Sequence, residues 1–130
     1  MNIGDVVYFT TGKARGYAAR AKYHVYLFVG DWRDDGDYGF LFINKSNAFG
    51  DGYEINKADG YDFLDLDQSY ISCASPVCYS REELDRLRPK FRGRLRREDV
   101  APLISHVQAS HAIEEHHIEK ICAGLRTLLV

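Results

Sequence analysis

Cysteine is sparse here: residues 73, 78 and 122 are an odd set without a paired Cys-x-x-Cys spacing. That excludes a disulfide framework and a structural zinc knot as organising principles, and it points to a reducing cytosol. No activating histidine lies close in sequence to Cys73 or Cys78, so both read as small core residues. No apolar run approaches the roughly 20 residues of a membrane span. The opening MNIGDVVYF has no basic segment leading into a long apolar one, so no secretory signal is expected and the setting is cytoplasmic. P-loop, Gly-x-Ser-x-Gly and Rossmann fingerprints are all missing. Internal repeats and low-complexity linkers are missing too.

What is present describes a globular chain. Apolar residues make up 45% and aromatics 13% of 130 residues, enough for one domain with a real core. The net charge is −2, unevenly spread: residues 1–79 hold seven Lys/Arg against eleven Asp/Glu, residues 80–130 ten against eight. A mildly acidic total argues against generic coating of duplex nucleic acid and for a local anion site. Between Arg86 and Arg97 runs RLRPKFRGRLRR, seven basic residues in twelve with no acid. Its cations fall on every second position from Arg86 to Arg96. If extended, that stretch is a one-sided rail suited to a phosphate-bearing partner. The plainer alternative is a solvated edge that discourages strand pairing.

The pattern divides into a β portion (1–79) and a helical portion (80–130) of a single domain. Asp5 to Thr11 reads as a strand closed by Gly12, and GKARGYAARAK (12–22) as a cationic loop. Tyr23 to Val29 is nearly continuous apolar, as a doubly buried strand would be. A polar turn (31–37) leads to a strand at Phe40–Asn44. Residues 45–62 read as a long loop, and Ser69–Ser75 as a last strand. Short strands with uneven loops predict a small, strongly curved barrel. Ser80-Arg-Glu-Glu83 has the form of a capping box, opening a helix that ends before Pro89. A second helix is expected over Arg97–Ala109 and a third from a Ser110 cap, with Ile113, His117, Ile118, Ile121, Cys122 and Leu125 at helical spacing. The fold class expected is therefore α+β, mainly β: a small barrel followed by two or three C-terminal helices.

Two constellations carry candidate chemistry. Lys22-Tyr23-His24 closes the cationic loop, with Arg15 and Arg20 close by. A histidine serves as base and then acid near neutrality, and a cation stabilises a phosphorane-like transition state. The bland reading is a core-edge histidine beside a solvated lysine. In Asn44-Lys45-Ser46 an apolar strand turns polar; these groups suit a phosphate or a 2′-hydroxyl, or else satisfy an ordinary strand end. Asp65 and Asp67 have no partner ligands at metal spacing. Neither His106/His111 nor His111/His116 has the i,i+4 spacing that places two ligands on one helical face, so no metal or other cofactor is expected. His117 is expected to line a helix interface and the other histidines to lie at the surface.

Taken in order, Gly4-Asp-Val-Val-Tyr-Phe, the Gly/Arg loop into Lys22-Tyr-His-Val-Tyr-Leu-Phe-Val, Phe40-Leu-Phe-Ile-Asn-Lys-Ser46 and Asp67-Gln-Ser-Tyr-Ile-Ser resemble the MazF/PemK-type toxins of toxin–antitoxin pairs. The resemblance spans about residues 3–88. It implies an SH3-like barrel, a homodimer, a cognate antitoxin and metal-independent cleavage of single-stranded RNA. That family's strand after the loop typically begins Arg-Pro-Val with a catalytic arginine; here the place reads Lys22-Tyr23-His24-Val25. Lys22 keeps a cation without the bidentate fork, and the family's Thr or Ser maps onto Ser46. The expectation is catalysis by Lys22, His24 and Ser46. RNA contacts are expected from Arg15, Arg20, Tyr23, Asn44, Lys45, Arg92 and Arg94, with bases stacking on Tyr17, Tyr23 or Tyr53. The alternative is a non-catalytic barrel that binds protein or nucleic acid. One form is a poison of the related CcdB type, docking through its apolar C-terminus, LRTLLV; the other is a phage-encoded interaction protein.

Overall fold

The computed structural model describes residues 1–14 and 18–130. Its elements are β1 (Asp5–Thr11), β2 (Arg20–Val29), β3 (Tyr38–Asn44), β4 (Gly52–Asn56), β5 (Gln68–Ser72), β6 (Val77–Tyr79), α1 (Arg81–Leu87), β7 (Lys90–Arg94), α2 (Arg97–Gln108) and α3 (Glu115–Thr127). The strands form one open antiparallel sheet in the order β4-β5-β3-β2-β1-β7, with β6 joining the other end of β3. The chain is thus α+β and mainly β. Among the described residues no helix is long and apolar enough to cross a membrane.

Register sorts the side chains onto two faces. Val6 pairs with Val25 and Val25 with Leu41; one residue along, Val7 pairs with His24 and His24 with Phe42. Alternation therefore sends Val6, Val25 and Leu41 to one face, where they meet Val100, Leu103 and Val107 of α2 and Ile121 and Leu125 of α3. The opposite face carries a smaller core of Val7, Phe9, Tyr26, Phe40 and Tyr79 under Leu84 of α1. Both faces of β2 are thus covered, which explains its unbroken apolar run. On the larger face α3 lies so close to β2 that a Cβ on Gly124 would sit 1.9 Å from the Leu27 carbonyl oxygen.

The capping box at the start of α1 forms as expected: Ser80 accepts from the Glu83 amide, and the Glu83 carboxylate accepts from the Ser80 amide. Elsewhere the structure revises the elements. Strand β2 begins at Arg20, so Lys22 lies within a strand and not in the loop. The expected long loop 45–62 contains β4, the last expected strand (69–75) ends early as β5 at Ser72, and a further short strand, β6, follows after residues 73–76. Ser110 does not cap α3. Its hydroxyl donates to the Cys73 carbonyl at 2.6 Å and accepts from the Ala112 amide, and the helix starts only after Glu114. The basic stretch is extended only over Lys90–Arg94. Arg86 and Arg88 end α1, and Arg96 precedes α2. A register shift against β1 sets Phe91 and Gly93 opposite the consecutive residues Val7 and Val6, so Arg92 is the extra residue of a bulge and the strict alternation is broken.

Candidate functional site

A cleft of about 610 Å³ opens where β2 begins and β3 ends, within the size range of ligand-binding clefts. Of the residues singled out in the sequence, it gathers Arg20, Lys22, Tyr23, Asn44, Lys45 and Ser46. These come from two segments about twenty residues apart. The antiparallel β2–β3 pairing, with Tyr23 opposite Ile43, brings them together. Lys13 also lines the cleft, so four cations face two carboxylates, Asp51 and Asp65, among the described residues.

Lys22 sits on the same face as His24 and Phe42, just beyond the cover of α1. Its ammonium donates to Asn44 Oδ1 and lies 5.4 Å from the centre of the Phe42 ring. Partial burial, and then the neighbouring charges of Arg20 and Lys45, push its pKa down from the ordinary lysine value. Lys13 is committed elsewhere: it donates to the Cys78 carbonyl at 2.6 Å and pairs with Glu83. Lys45 reaches Asp65 at 3.8 Å, both well exposed, a pair that contributes little.

Aromatic rings line the other wall. Tyr23 packs against Tyr8 with centroids 4.6 Å apart and the rings tilted by 43°, and its hydroxyl donates to the Phe63 carbonyl. Phe49, 75% exposed, stands in the turn before β4, which the Asn47 side chain fastens by accepting from the Gly52 amide. Tyr8, Phe42 and Phe49 were missed in the sequence. Phe49 had a readable signal, an isolated aromatic in a polar, glycine-flanked loop. Tyr8 needed the β1–β2 register, which sets it opposite Tyr23.

His24 is not in the cleft. It is 0% exposed, stacks on Phe9 at 3.9 Å and uses both ring nitrogens. Nδ1 faces the Lys22 carbonyl, which only accepts, so Nδ1 carries the proton and Nε2 accepts from the Tyr79 hydroxyl. Tyr79 in turn accepts from Thr11, whose oxygen accepts from the Lys13 amide. This directed chain ties β1, β2 and β6 together beneath Lys22. Burial, its main cause, lowers the His24 pKa to about 3, so the ring is neutral. The expected role as a base on bound RNA therefore gives way to that of an interior strut.

The remaining candidates are dispersed. Tyr53 is not a stacking platform: its hydroxyl donates to Asp99 at 2.7 Å, where Tyr61 also donates and Arg96 pairs. Arg92 and Arg94 lie on the edge strand β7. The Arg92 guanidinium stands 5.6 Å from the Tyr8 ring centre, which joins this strand to the cleft wall, while Arg94 pairs with the buried Asp5 carboxylate at 3.3 Å. Arg15 and Tyr17 lie outside the described residues. Cys73 and Cys78 are buried, and burial pushes both thiols up to about 12, as small inert core residues should show. The C-terminus is largely spent internally: Leu125 is in the core, Leu128 packs against it, and Arg97 holds the carbonyls of Leu128 and Leu129. Among the described residues one group offers metal-ligand atoms within 4.8 Å of one another, Asp34, His116 and His117, at the other end of the β2–β3 hairpin. No protein-family model, curated protein or solved structure matches this chain, so its function is read from the cleft itself.

Proposed function

We propose that this chain binds single-stranded RNA in the cleft and cuts it without a metal ion, as a toxin-like endoribonuclease on a small SH3-like barrel. One observation supports the reading above the rest. Lys22, Asn44, Lys45 and Ser46, singled out by residue type in two separate segments, line the same cleft beside Arg20 and Tyr23. Backbone phosphates would lie along Arg20, Lys22 and Lys45, and bases would stack on Phe49 and the Tyr8–Tyr23 pair. The 2′-hydroxyl attacks the adjacent phosphorus and loses its proton to solvent, while the Lys22 ammonium, held by Asn44, stands beside the charge that develops. Arg20 stabilises the phosphorane charge, and Ser46 orients a non-bridging oxygen. The 5′-oxygen leaves with a proton from solvent, giving a 2′,3′-cyclic phosphate and a 5′-hydroxyl. A homodimer and a cognate antitoxin accompany this reading, and the basic β7 suits an acidic antitoxin.

The burial of His24 and the bond from Lys22 to Asn44 favour a second reading, in which the same cleft grips RNA and cuts nothing. Incubating the protein with a long single-stranded RNA in EDTA separates the two. The first reading expects fragments with cyclic-phosphate ends, abolished in Lys22→Met although that variant still binds. Intact RNA with retained binding selects the second; no binding at all removes both.

A further inference from the structure

The turn between β2 and β3 folds over the start of α3, to which Asp34 ties it through His117 and Lys120. The Gly30 amide donates to the Asp37 carbonyl at 2.8 Å, and a Cβ on Gly36 would lie 2.1 Å from the Tyr79 carbonyl carbon. This places Asp34, whose side chain is only 2% exposed, against two consecutive histidines. Its Oδ2 accepts from the Asp31 amide and from Lys120, each at 2.8 Å. Its Oδ1 turns the other way, 2.6 Å from His117 Nε2 and 4.0 Å from His116 Nε2. His116 Nε2 is buried and has no hydrogen-bond partner. An orphaned ring nitrogen of this kind costs stability unless something else binds it.

We propose that Asp34 Oδ1, His116 Nε2 and His117 Nε2 form a binding site for a divalent transition-metal ion of the zinc class, with water completing the coordination. Zinc bonds of 2.0–2.1 Å in a tetrahedral shell set ligand atoms about 3.3 Å apart. The distances of 2.6 and 4.0 Å bracket that value, so side-chain shifts of less than 1 Å close the shell. Glu114 Oε2 lies 3.4 Å from His116 Nδ1, an ion-pair distance and not a hydrogen bond, so it adds negative charge beside the ring. Lys120 and Arg33 bring positive charge, but Asp31, Asp34 and Glu114 outnumber them, so a dication meets a net negative surround. The i,i+4 rule misses this set because the histidines are adjacent and the third ligand comes from a turn more than eighty residues away. The ion would clamp that turn to α3 at the end of the hairpin away from the cleft. It takes no part in RNA chemistry, and the inference is independent of the proposed function.

The test uses the tag-free full chain, stripped with chelator and titrated with Co²⁺, which reports tetrahedral coordination through its visible bands. The site predicts one Co²⁺ per chain, displaced by Zn²⁺, and a melting temperature raised by added Zn²⁺. His116→Ala, at a partly exposed position, should abolish uptake, while Glu114→Gln should retain the fold and weaken affinity several-fold by removing one nearby negative charge. Three results would each overturn the proposal: no stoichiometric uptake, uptake unchanged in both variants, or the charge-transfer bands of thiolate ligation.

Discussion

His24 lies on the inner face of β2 with both ring nitrogens engaged, so its charge state is set by the fold and not by a substrate. Its folded pKa, about 3, lies below the ordinary 6.5. The unfolded chain therefore takes up more protons than the folded one as the pH falls between those values. The resulting stabilisation is fully present above pH 6.5 and is lost progressively toward pH 3. One group so shifted contributes a slope of up to about 1.4 kcal/mol per pH unit, or about 2 kcal/mol between pH 6.5 and 5. Urea midpoints at those two pH values, compared with His24→Gln, measure the difference; equal slopes in the two proteins would show that His24 is not the group responsible. The sequence showed a histidine beside a lysine where base catalysis was plausible. Only the register, which places His24 between Val7 and Phe42, shows that it is interior.

Among the elements, β7 connects the basic stretch to the cleft. The bulge brings Arg92 toward Tyr8, a cleft wall residue, whereas Arg94 is tied to Asp5. The two arginines thus differ in their contacts, and the proposed RNA contact falls to Arg92. Arg92→Ala should weaken single-stranded RNA binding several-fold and reduce the slope of log affinity against log salt by about 0.7, as for one lost phosphate contact. Fluorescence anisotropy across a salt series reads both; an unchanged slope would detach β7 from RNA. Elements with strong local signals were legible: β1 between polar ends, α1 behind its capping box, α2 with Val100, Leu103 and Val107 on one stripe. Those resting on distant partners were not. β4 lies in a stretch punctuated by glycines and exists through its pairing with β5, and the three residues of β6 exist through β3.

Over the whole molecule, the β2–β3 hairpin runs from the cationic cleft to the Asp34–histidine cluster, and helices cover both of its faces between. A chain of net charge −2 presents four cations against two carboxylates in that cleft, so under the proposed function the local field, and not the total charge, is what would draw an anionic ligand. Half of this site was visible as residue types. The convergence of Lys22 and Ser46 required the antiparallel pairing, and the aromatic wall required the turn held by Asn47. The proposed function requires that this cleft hold single-stranded RNA. The most direct measurement is photocrosslinking with a 4-thiouridine-bearing RNA made uncleavable by 2′-O-methylation, followed by peptide mapping. Crosslinks are expected in the peptides carrying Tyr23 and residues 42–49, suppressed by unlabelled single-stranded RNA. Crosslinks confined to α2 and α3, or none above those of an unrelated acidic protein, would contradict it.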